Sequence, residues 1–420
     1  MKFRTPTLYE KLKSCVEDAC GDSLSWRSHT AKYQSLIQSI VAEEIVYRNI
    51  KWWALNRPEL EEAESWVNKF FEGYQDETQN GLVWNAEVFD RVYSRIEEFL
   101  CQDSYVSHFV SPLYSFSCHS GTSVELETGV YIRKTDNFLS SILRNQPSTI
   151  QHPLDTESWV VDVAIKQPKS AERDSEGSYA TRAGMKLRII LQSLRLLHRG
   201  KVFVGPLCFL TFPEFGSFKR NVGVILETDL TTLPSAHFGY FTLGSYELTE
   251  SEVEELKTIY GLVSKGTSRY PDSFALALSR FNDYFGRVNE LDGLLDLVIA
   301  LEALFAGESQ EIGYSLALRC SYFLEPDAEK RKAIFTRLRD IYDIRSYIVH
   351  GRAGLPRKWR KLHGQDYDIA IASVVDDAEG YVRQAIRKII ADKHLDKFQN
   401  LVWWRRFLDE LVLRGDACSD

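Results

Sequence analysis

The segment AEKRKAIFTRLRDIYDIRSYIVHG, residues 328–351, decides the class of the C-terminal part of the chain. It follows Pro326, repeats apolar residues at helical spacing and reaches Gly351, a residue type that is common just beyond a helix end. We therefore predict one long helix that begins after Pro326 and ends at Gly351, with His350 in its last turn. Arg345 lies about 140° from His350 around the helix axis, so their side chains do not share one helical stripe.

Helical patterns also surround this segment. The sequence TESE at 249–252 is a capping box that predicts a helix start, and apolar positions recur at helical spacing in the segments that follow. The most apolar run, LLDLVIALEALFAG at 294–307, is too short and too charged to cross a bilayer. We predict that residues 246–420 form an all-α domain.

Strand patterns dominate the middle of the chain. YVSHFVSPLYSF, TSVELETGVYIRK, SWVVDVAIKQP, KVFVGPLCFLTF, NVGVILETDL and HFGYFTL are rich in β-branched and aromatic residues. One helix, MKLRIILQSLRLLH at 185–198, lies among them, and the polar residues 169–184 are expected to form an exposed loop. We predict the α+β class: a helical N-terminal region at 1–105, a mixed α/β domain with a sheet at 106–245, and the helical domain at 246–420.

Composition narrows the classes of function. The formal net charge is −8, so any nucleic-acid role must depend on a local basic patch. The seven cysteines include no CxxC pair, which favours a reducing cytosol and argues against a disulfide framework or a cysteine-based zinc site. GxxxxGK[ST] is absent, and the first residues carry no apolar secretion signal. We expect a soluble cytoplasmic protein with no metal and no cofactor.

One local basic patch stands out. From residue 345 to residue 365 there are six Lys or Arg residues, two histidines and no acidic residue. The candidates for binding RNA in this stretch are Arg352, Arg357, Lys358, Trp359, Arg360 and Lys361. The cations can bind the phosphate backbone of a nucleic acid, and the aromatic ring among them can stack on an unpaired base. The plainer interpretation is a solvated loop, and a lone Arg/His pair is commonly structural.

The sequence RSYIVHG, preceded by LRDIYDI, resembles the Arg-x4-His motif of the HEPN superfamily, in particular that of the Apea-like HEPN domains. Three upstream stretches are similar to helices of the same family. They are SFALALSRFNDYFGRV at 273–288, DGLLDLVIALEALFAG at 292–307 and EIGYSLALRCSYFL at 311–324. The resemblance covers residues 246 to 400, and the residues before 246 carry none.

The resemblance implies a HEPN-like helical bundle that acts as a metal-independent endoribonuclease, in a toxin or anti-phage defence setting. The partners it implies are RNA, with tRNA as one candidate, a homodimer or higher even oligomer, and a phage-derived trigger or an inhibitory protein. His350 would move protons, Arg345 would bind the scissile phosphate, and Ser346 would donate a hydrogen bond to it. The products would be a 2′,3′-cyclic phosphate and a 5′-hydroxyl.

Two other functions stay open. The domain can be a catalytically inactive HEPN-like module for RNA binding, protein binding and dimerisation. Alternatively, the helical domain is a scaffold and the sheet domain holds the chemistry. A deep polar pocket within residues 106–245 would favour that last hypothesis.

Acidic residues supply candidates for a supporting role. Glu302 lies in a helix that is apolar nearly all round, so we expect it to be buried and to need a partner. Arg319 and Arg345 are the candidates, and the simplest interpretation is a structural ion pair between two helices. Asp292 is expected near a helix start, and Asp296 at a partly exposed or paired position.

Overall fold

The computed structural model describes residues 4–21, 31–46, 83–119, 121–135, 158–168, 176–200, 202–205, 207–211, 223–225, 246–266, 270–287, 289–306, 311–350, 367–391 and 400–414, together with residues 67, 70, 71, 74, 75, 77 and 78. Within these ranges the chain is of the α+β class, mostly helical with a small antiparallel sheet, as predicted. None of the helices found there is long and apolar enough to cross a membrane.

The N-terminal helices are α1 (Pro6–Gly21), α2 (Ala31–Val41) and α3 (Ala86–Cys101). Asn85 begins α3 because its side chain accepts hydrogen bonds from two early backbone N–H groups. These helices share a hydrophobic cluster of their own, in which Tyr9 and Tyr93 pack against the fully buried Phe89. The tryptophans at 52, 53 and 66 lie outside the described residues.

The strands are β1 (Ser104–Tyr114), β2 (Phe116–Cys118), β3 (Ser123–Glu127), β4 (Val130–Lys134), β5 (Trp159–Pro168), β6 (Phe203–Val204), β7 (Leu207–Thr211), β8 (Gly223–Ile225) and β9 (Tyr246–Leu248). In the described part of the chain they form an antiparallel sheet in the order β3-β4-β5-β1-β7-β8, with β6 paired to β1, and a small parallel pair, β2 with β9. The predicted strand HFGYFTL lies outside the described residues.

One face of the sheet packs on a long helix, α4 (Glu176–Leu197). Phe109 and Val163 pair across β1 and β5 and belong to the same buried cluster as Leu187 and Leu194 of α4. The prediction of an exposed loop at 169–184 is wrong from residue 176 onward. Although this first part of α4 is polar in sequence, its Ala183 is fully buried against the core, and tertiary packing overrides the local pattern.

The remaining helices follow a 3-10 turn at Glu250–Glu252. They are α5 (Val253–Gly266), α6 (Asp272–Phe285), α7 (Glu290–Phe305), α8 (Ile312–Leu324), α9 (Ala328–Val349), α10 (Tyr367–Ala391) and α11 (Leu401–Arg414). The predicted capping box is present at Thr249, whose backbone N–H donates to the Glu252 carboxylate at 2.9 Å. Asp296 is paired, which is one of the two states predicted for it, because Arg280 of α6 and Arg287, just beyond the end of α6, both bind it.

The sheet and the helices share one continuous core. A single cluster of buried residues runs from Phe109 of β1 to Leu408 of α11. Two arginines of α10 reinforce the junction, since Arg383 and Arg387 donate to the carbonyls of Arg195 and Leu197 at the end of α4, at 3.0 and 2.7 Å. The boundary near residue 245 stays a prediction, but the core passes across it without interruption.

Candidate functional site

The motif residues lie at the end of α9. Asp327 begins this helix by accepting hydrogen bonds from the N–H groups of Glu329 and Lys330, and Val349 is its last residue. His350 is the C-cap, and its own N–H donates to the Ser346 carbonyl at 3.1 Å. The predicted helix and the position of His350 in its final turn are confirmed, while Gly351 lies outside the described residues.

The last two turns of α9 extend beyond its neighbour α8. The two helices pack antiparallel, with Gly313 against the ring of Tyr342 and Tyr314 against Phe335. Seven residues of α9 follow Tyr342, which at 1.5 Å per residue is about 10 Å of helix. The end of α9 that carries Arg345, Ser346 and His350 is therefore at one end of the helical bundle, and His350 is exposed.

Arg345 is held by α7. Its Nη2 lies 3.4 Å from Oε1 of Glu302, and its guanidinium carbon lies 5.6 Å from the centre of the Tyr342 ring. Tyr342 interacts with the same Glu302 carboxylate, and this interaction acts to lower the pKa of the carboxylate. Burial raises the pKa of Glu302, and the Arg345 charge and the Tyr342 interaction only partly oppose that rise.

Glu302 is less buried than expected, with 21% of its side chain exposed. Its carboxylate is directed toward Arg345, whose own side chain is 26% exposed, while Leu304 and Phe305 in the same turn are buried. Of the two predicted partners, Arg345 is the one that forms the ion pair. The plain structural interpretation and a role in orienting Arg345 both fit this contact.

Arg319 has a different role from the one predicted. It donates to both carboxylate oxygens of Asp409 in α11, at 2.8 and 3.1 Å, and to the Phe305 carbonyl at the end of α7. Trp404 of α11 donates to the neighbouring Leu304 carbonyl at 2.6 Å. Arg319 therefore caps α7 and fixes α11, and it supports the site only by holding the helix that carries Glu302.

Tyr342 and Gly313 are contributors that sequence reasoning missed. A Cβ at position 313 would overlap the Tyr342 ring, so glycine is what lets this ring lie flat beside α8 and reach Glu302. Tyr342 also lies three residues before Arg345, on a neighbouring part of the same helical face. The available signal was the glycine inside the helical pattern EIGYS, which is a costly residue in a helix unless close packing requires it.

The predicted RNA-binding residues cannot be placed around this site. Arg352, Arg357, Lys358, Trp359, Arg360 and Lys361 all lie outside the described residues. They belong to the stretch that joins His350 to the start of α10 at Tyr367, so the chain connects them directly to the candidate site. Their contact with RNA stays a prediction.

A second polar cluster lies on the sheet. Asp162 of β5 is nearly fully buried, and its two carboxylate oxygens bind Nδ1 of His108 and Nε of Arg133, each at 2.8 Å. Burial acts to raise the pKa of Asp162, but His108 and Arg133 bring it below its ordinary value. Because the carboxylate is ionised, Nδ1 of His108 is the donor. The cluster joins β4, β5 and β1.

Over the described ranges, no three His, Cys, Asp or Glu side chains are grouped so that they could hold an ion.

The chain matches no protein-family model, no curated protein and no solved structure. The HEPN resemblance therefore depends on the residues of this sequence alone.

Proposed function

We propose that the chain is a metal-independent endoribonuclease of the HEPN type. One observation carries the proposal: an arginine oriented by a carboxylate and an exposed histidine occupy the last two turns of one helix, at one end of the bundle. These are the residue types that RNA cleavage by its own 2′-hydroxyl requires.

The proposed chemistry needs only proton transfer and charge stabilisation. The 2′-oxygen attacks the adjacent phosphorus, its proton passes to a base, and the bond to the 5′-oxygen breaks as that oxygen gains a proton. His350 acts as the base or as the acid in this sequence. Arg345 stabilises the extra negative charge of the pentacoordinate phosphorus, and Ser346 donates a hydrogen bond to a non-bridging oxygen.

Glu302 orients Arg345 without using up its donors. A guanidinium has five N–H groups, and the ion pair with Glu302 is made through Nη2 at 3.4 Å. An incoming phosphate can therefore bind the remaining donors. The half-buried carboxylate also keeps the arginine in one place before the substrate arrives, which reduces the entropy lost on binding.

The basic stretch 352–361 would guide RNA to this site. Its five cations are in a chain whose net charge is −8, so they provide the local positive potential that a phosphate backbone needs. Trp359 would stack on an unpaired base. By analogy with the family alone, a dimer would bring two Arg345/His350 sets together, and the setting would be toxin activity or phage defence.

The experiment is cleavage of total RNA and tRNA by the purified chain, with and without EDTA, beside His350→Ala and Arg345→Ala. Control variants of the same type are His119→Ala and Arg91→Ala, since both side chains are well exposed and lie on other elements, the sheet region and α3. We expect EDTA-resistant cleavage that both motif variants lose and both controls keep. Equal cleavage by the parent and His350→Ala would overturn the assignment of His350.

A second candidate is a non-catalytic HEPN-like module that binds RNA or protein. The ion pair of Arg345 with Glu302 favours it in one respect, because such a pair can be purely structural. This candidate predicts RNA binding without cleavage, and a His350→Ala variant with the same RNA affinity as the parent.

A further inference from the structure

The C-terminal helix α11 exposes a set of large apolar side chains. Trp404 and Leu408 are buried against the bundle, while Val402, Trp403 and Leu413 are 71%, 67% and 85% exposed. Single exposed apolar residues need no explanation, but three on one helix of 14 residues form an unusual surface.

The exposed side of α11 carries a regular stripe. Val402, Arg406, Asp409 and Leu413 are spaced by four, three and four residues, which is the spacing of a helix seam that packs against another helix. Together with Arg405 and Glu410, these four line one shallow surface groove. The stripe, defined by Val402, Arg406, Asp409 and Leu413, lies opposite the buried side of the helix.

The stripe is complementary to itself when two helices run antiparallel. Val402 and Leu413 lie at equal distances on either side of the midpoint between Arg406 and Asp409. A two-fold axis at that midpoint brings Val402 against the partner's Leu413 and Arg406 against the partner's Asp409, and each contact occurs twice. A parallel pair would instead oppose Arg406 to itself, which costs free energy.

Further charges favour the same arrangement. Glu410 lies on the same flank of the stripe as Arg406, so each Arg406 would meet two carboxylates of the other copy. Arg319 holds Asp409 through both oxygens, and Trp404 anchors the helix to the end of α7, so the stripe is already rigid before it docks. A rigid surface loses little conformational entropy on association.

We propose that α11 is a dimerisation surface, on which the stripe packs antiparallel against α11 of a second copy of this chain. The proposal uses the exposure and charges of α11 alone and does not depend on RNA cleavage. Because the helix is only about 21 Å long, this contact is small, and a dimer that forms at micromolar concentration is expected. The interface would connect two bundles through the α7 ends that carry Glu302.

The test is sedimentation velocity of the full chain over a range of concentrations, for the parent and two stripe variants. Leu413→Asp places a charge in the apolar contact. Arg406→Glu replaces a cation in each copy by a carboxylate, which then faces Asp409 and Glu410 of the other copy. We expect each to weaken the dimer at least tenfold. The double variant Arg406→Glu/Glu410→Arg should recover part of that loss, because it restores an opposite charge between positions 406 and 410 of the two copies, while position 406 still faces Asp409 with a like charge.

Two control variants make the same changes elsewhere. Val83→Asp and Arg91→Glu alter residues whose side chains are similarly exposed but lie on or near α3, and both should dimerise like the parent. A parent that is still monomeric at roughly 100 µM overturns the proposal and would leave the stripe to a different protein. A dimer that Leu413→Asp and Arg406→Glu leave unchanged overturns it as well.

Discussion

At the scale of single residues, the setting of Arg345 matters most. Its ion pair with Glu302 joins side chains that are 26% and 21% exposed, so its contribution to stability is small, about 1 kcal/mol or less. Its larger effect is on orientation, because Tyr342 and Glu302 together restrict where the guanidinium can point. Loss of Glu302 should therefore affect catalysis more than folding.

The first prediction follows from this difference. Glu302→Gln keeps the size of the side chain and removes the charge that holds Arg345. We expect the cleavage rate to fall about tenfold, equivalent to roughly 1.4 kcal/mol of transition-state stabilisation, while the melting temperature changes by only about 2 °C. Single-turnover cleavage and thermal unfolding measure the two effects.

Asp377→Asn is the matched control for that prediction. It also removes a carboxylate from an arginine of α9, in this case Arg337, whose Nε lies 2.6 Å from Asp377 of α10. Its cleavage rate should stay within about twofold of the parent. An equal loss of rate in both variants would mean that Glu302 acts only through the general packing of the bundle.

At the scale of elements, the contact between α8 and α9 depends on one glycine. The second prediction is that Gly313→Ala lowers the free energy of unfolding by about 1–3 kcal/mol, because the new Cβ overlaps the Tyr342 ring. The same variant should reduce cleavage, since Tyr342 can no longer support Glu302. Chemical denaturation measures the first effect, and single-turnover cleavage measures the second.

Gly380→Ala in α10 is the control for Gly313→Ala, and it should raise the free energy of unfolding instead of lowering it. A Cβ at Gly380 meets no atom within 4 Å, so only the helix propensity changes. We expect the free energy of unfolding to rise by about 0.5–1 kcal/mol. If Gly313→Ala also stabilised the chain, the close packing of Tyr342 on α8 would be contradicted.

The third prediction concerns the carboxylate shared by three strands. Asp162→Asn should lower the free energy of unfolding by about 2–3 kcal/mol at pH 7, because it leaves His108 and Arg133 without their buried counter-charge. The pKa of Asp162 is lowered in the folded chain, so its stabilisation is present above the unfolded value near 3.9 and is lost as the pH falls through the folded value. The difference in the free energy of unfolding between variant and parent should therefore become smaller below about pH 4.

Urea denaturation at several pH values measures this difference. Glu254→Gln is the control, because its ion pair with Lys257 is exposed on one helix and should contribute little at any pH. If the loss in the free energy of unfolding for Asp162→Asn stays constant down to pH 3, the missing charge is not the cause of that loss.

Element types could be predicted from sequence more reliably than contacts between elements. Both ends of α9 were predictable because Pro326 and Gly351 carry local signals for the start and the end of a helix. The first turns of α4 were not, because their burial comes from the sheet and not from their own polar sequence. Tyr342, Asp162 and the true contacts of Arg319 depend on residues distant in the chain, which no spacing rule reveals.

At the scale of the whole molecule, two hydrophobic clusters divide the described chain. One contains residues of α1 to α3, and the other runs from β1 through α11. The sheet and the C-terminal helices should therefore unfold as one cooperative unit, although their sequences suggest two domains.

The fourth prediction tests this division by hydrogen exchange. Leu187→Ala, in the buried part of α4, should lower the free energy of unfolding by about 2–5 kcal/mol. It should also lower the protection of backbone amides from exchange in both the sheet and the helices after residue 253. Phe89→Ala should cost about 3–5 kcal/mol and lower protection only in α1 to α3. An effect of Leu187→Ala that ends at β9 would instead support a separate helical domain.

The most direct test of the central claim is the chemistry of the cleaved ends. One RNA substrate of the parent would be cut in EDTA and its ends analysed, beside a copy with a 2′-deoxyribose at the cleavage site and beside His350→Ala. The proposed mechanism predicts 2′,3′-cyclic phosphate and 5′-hydroxyl ends, no cleavage of the deoxy copy, and loss of cleavage in the variant. Ends with a 3′-hydroxyl and a 5′-phosphate, or equal cleavage of the deoxy copy, would contradict it.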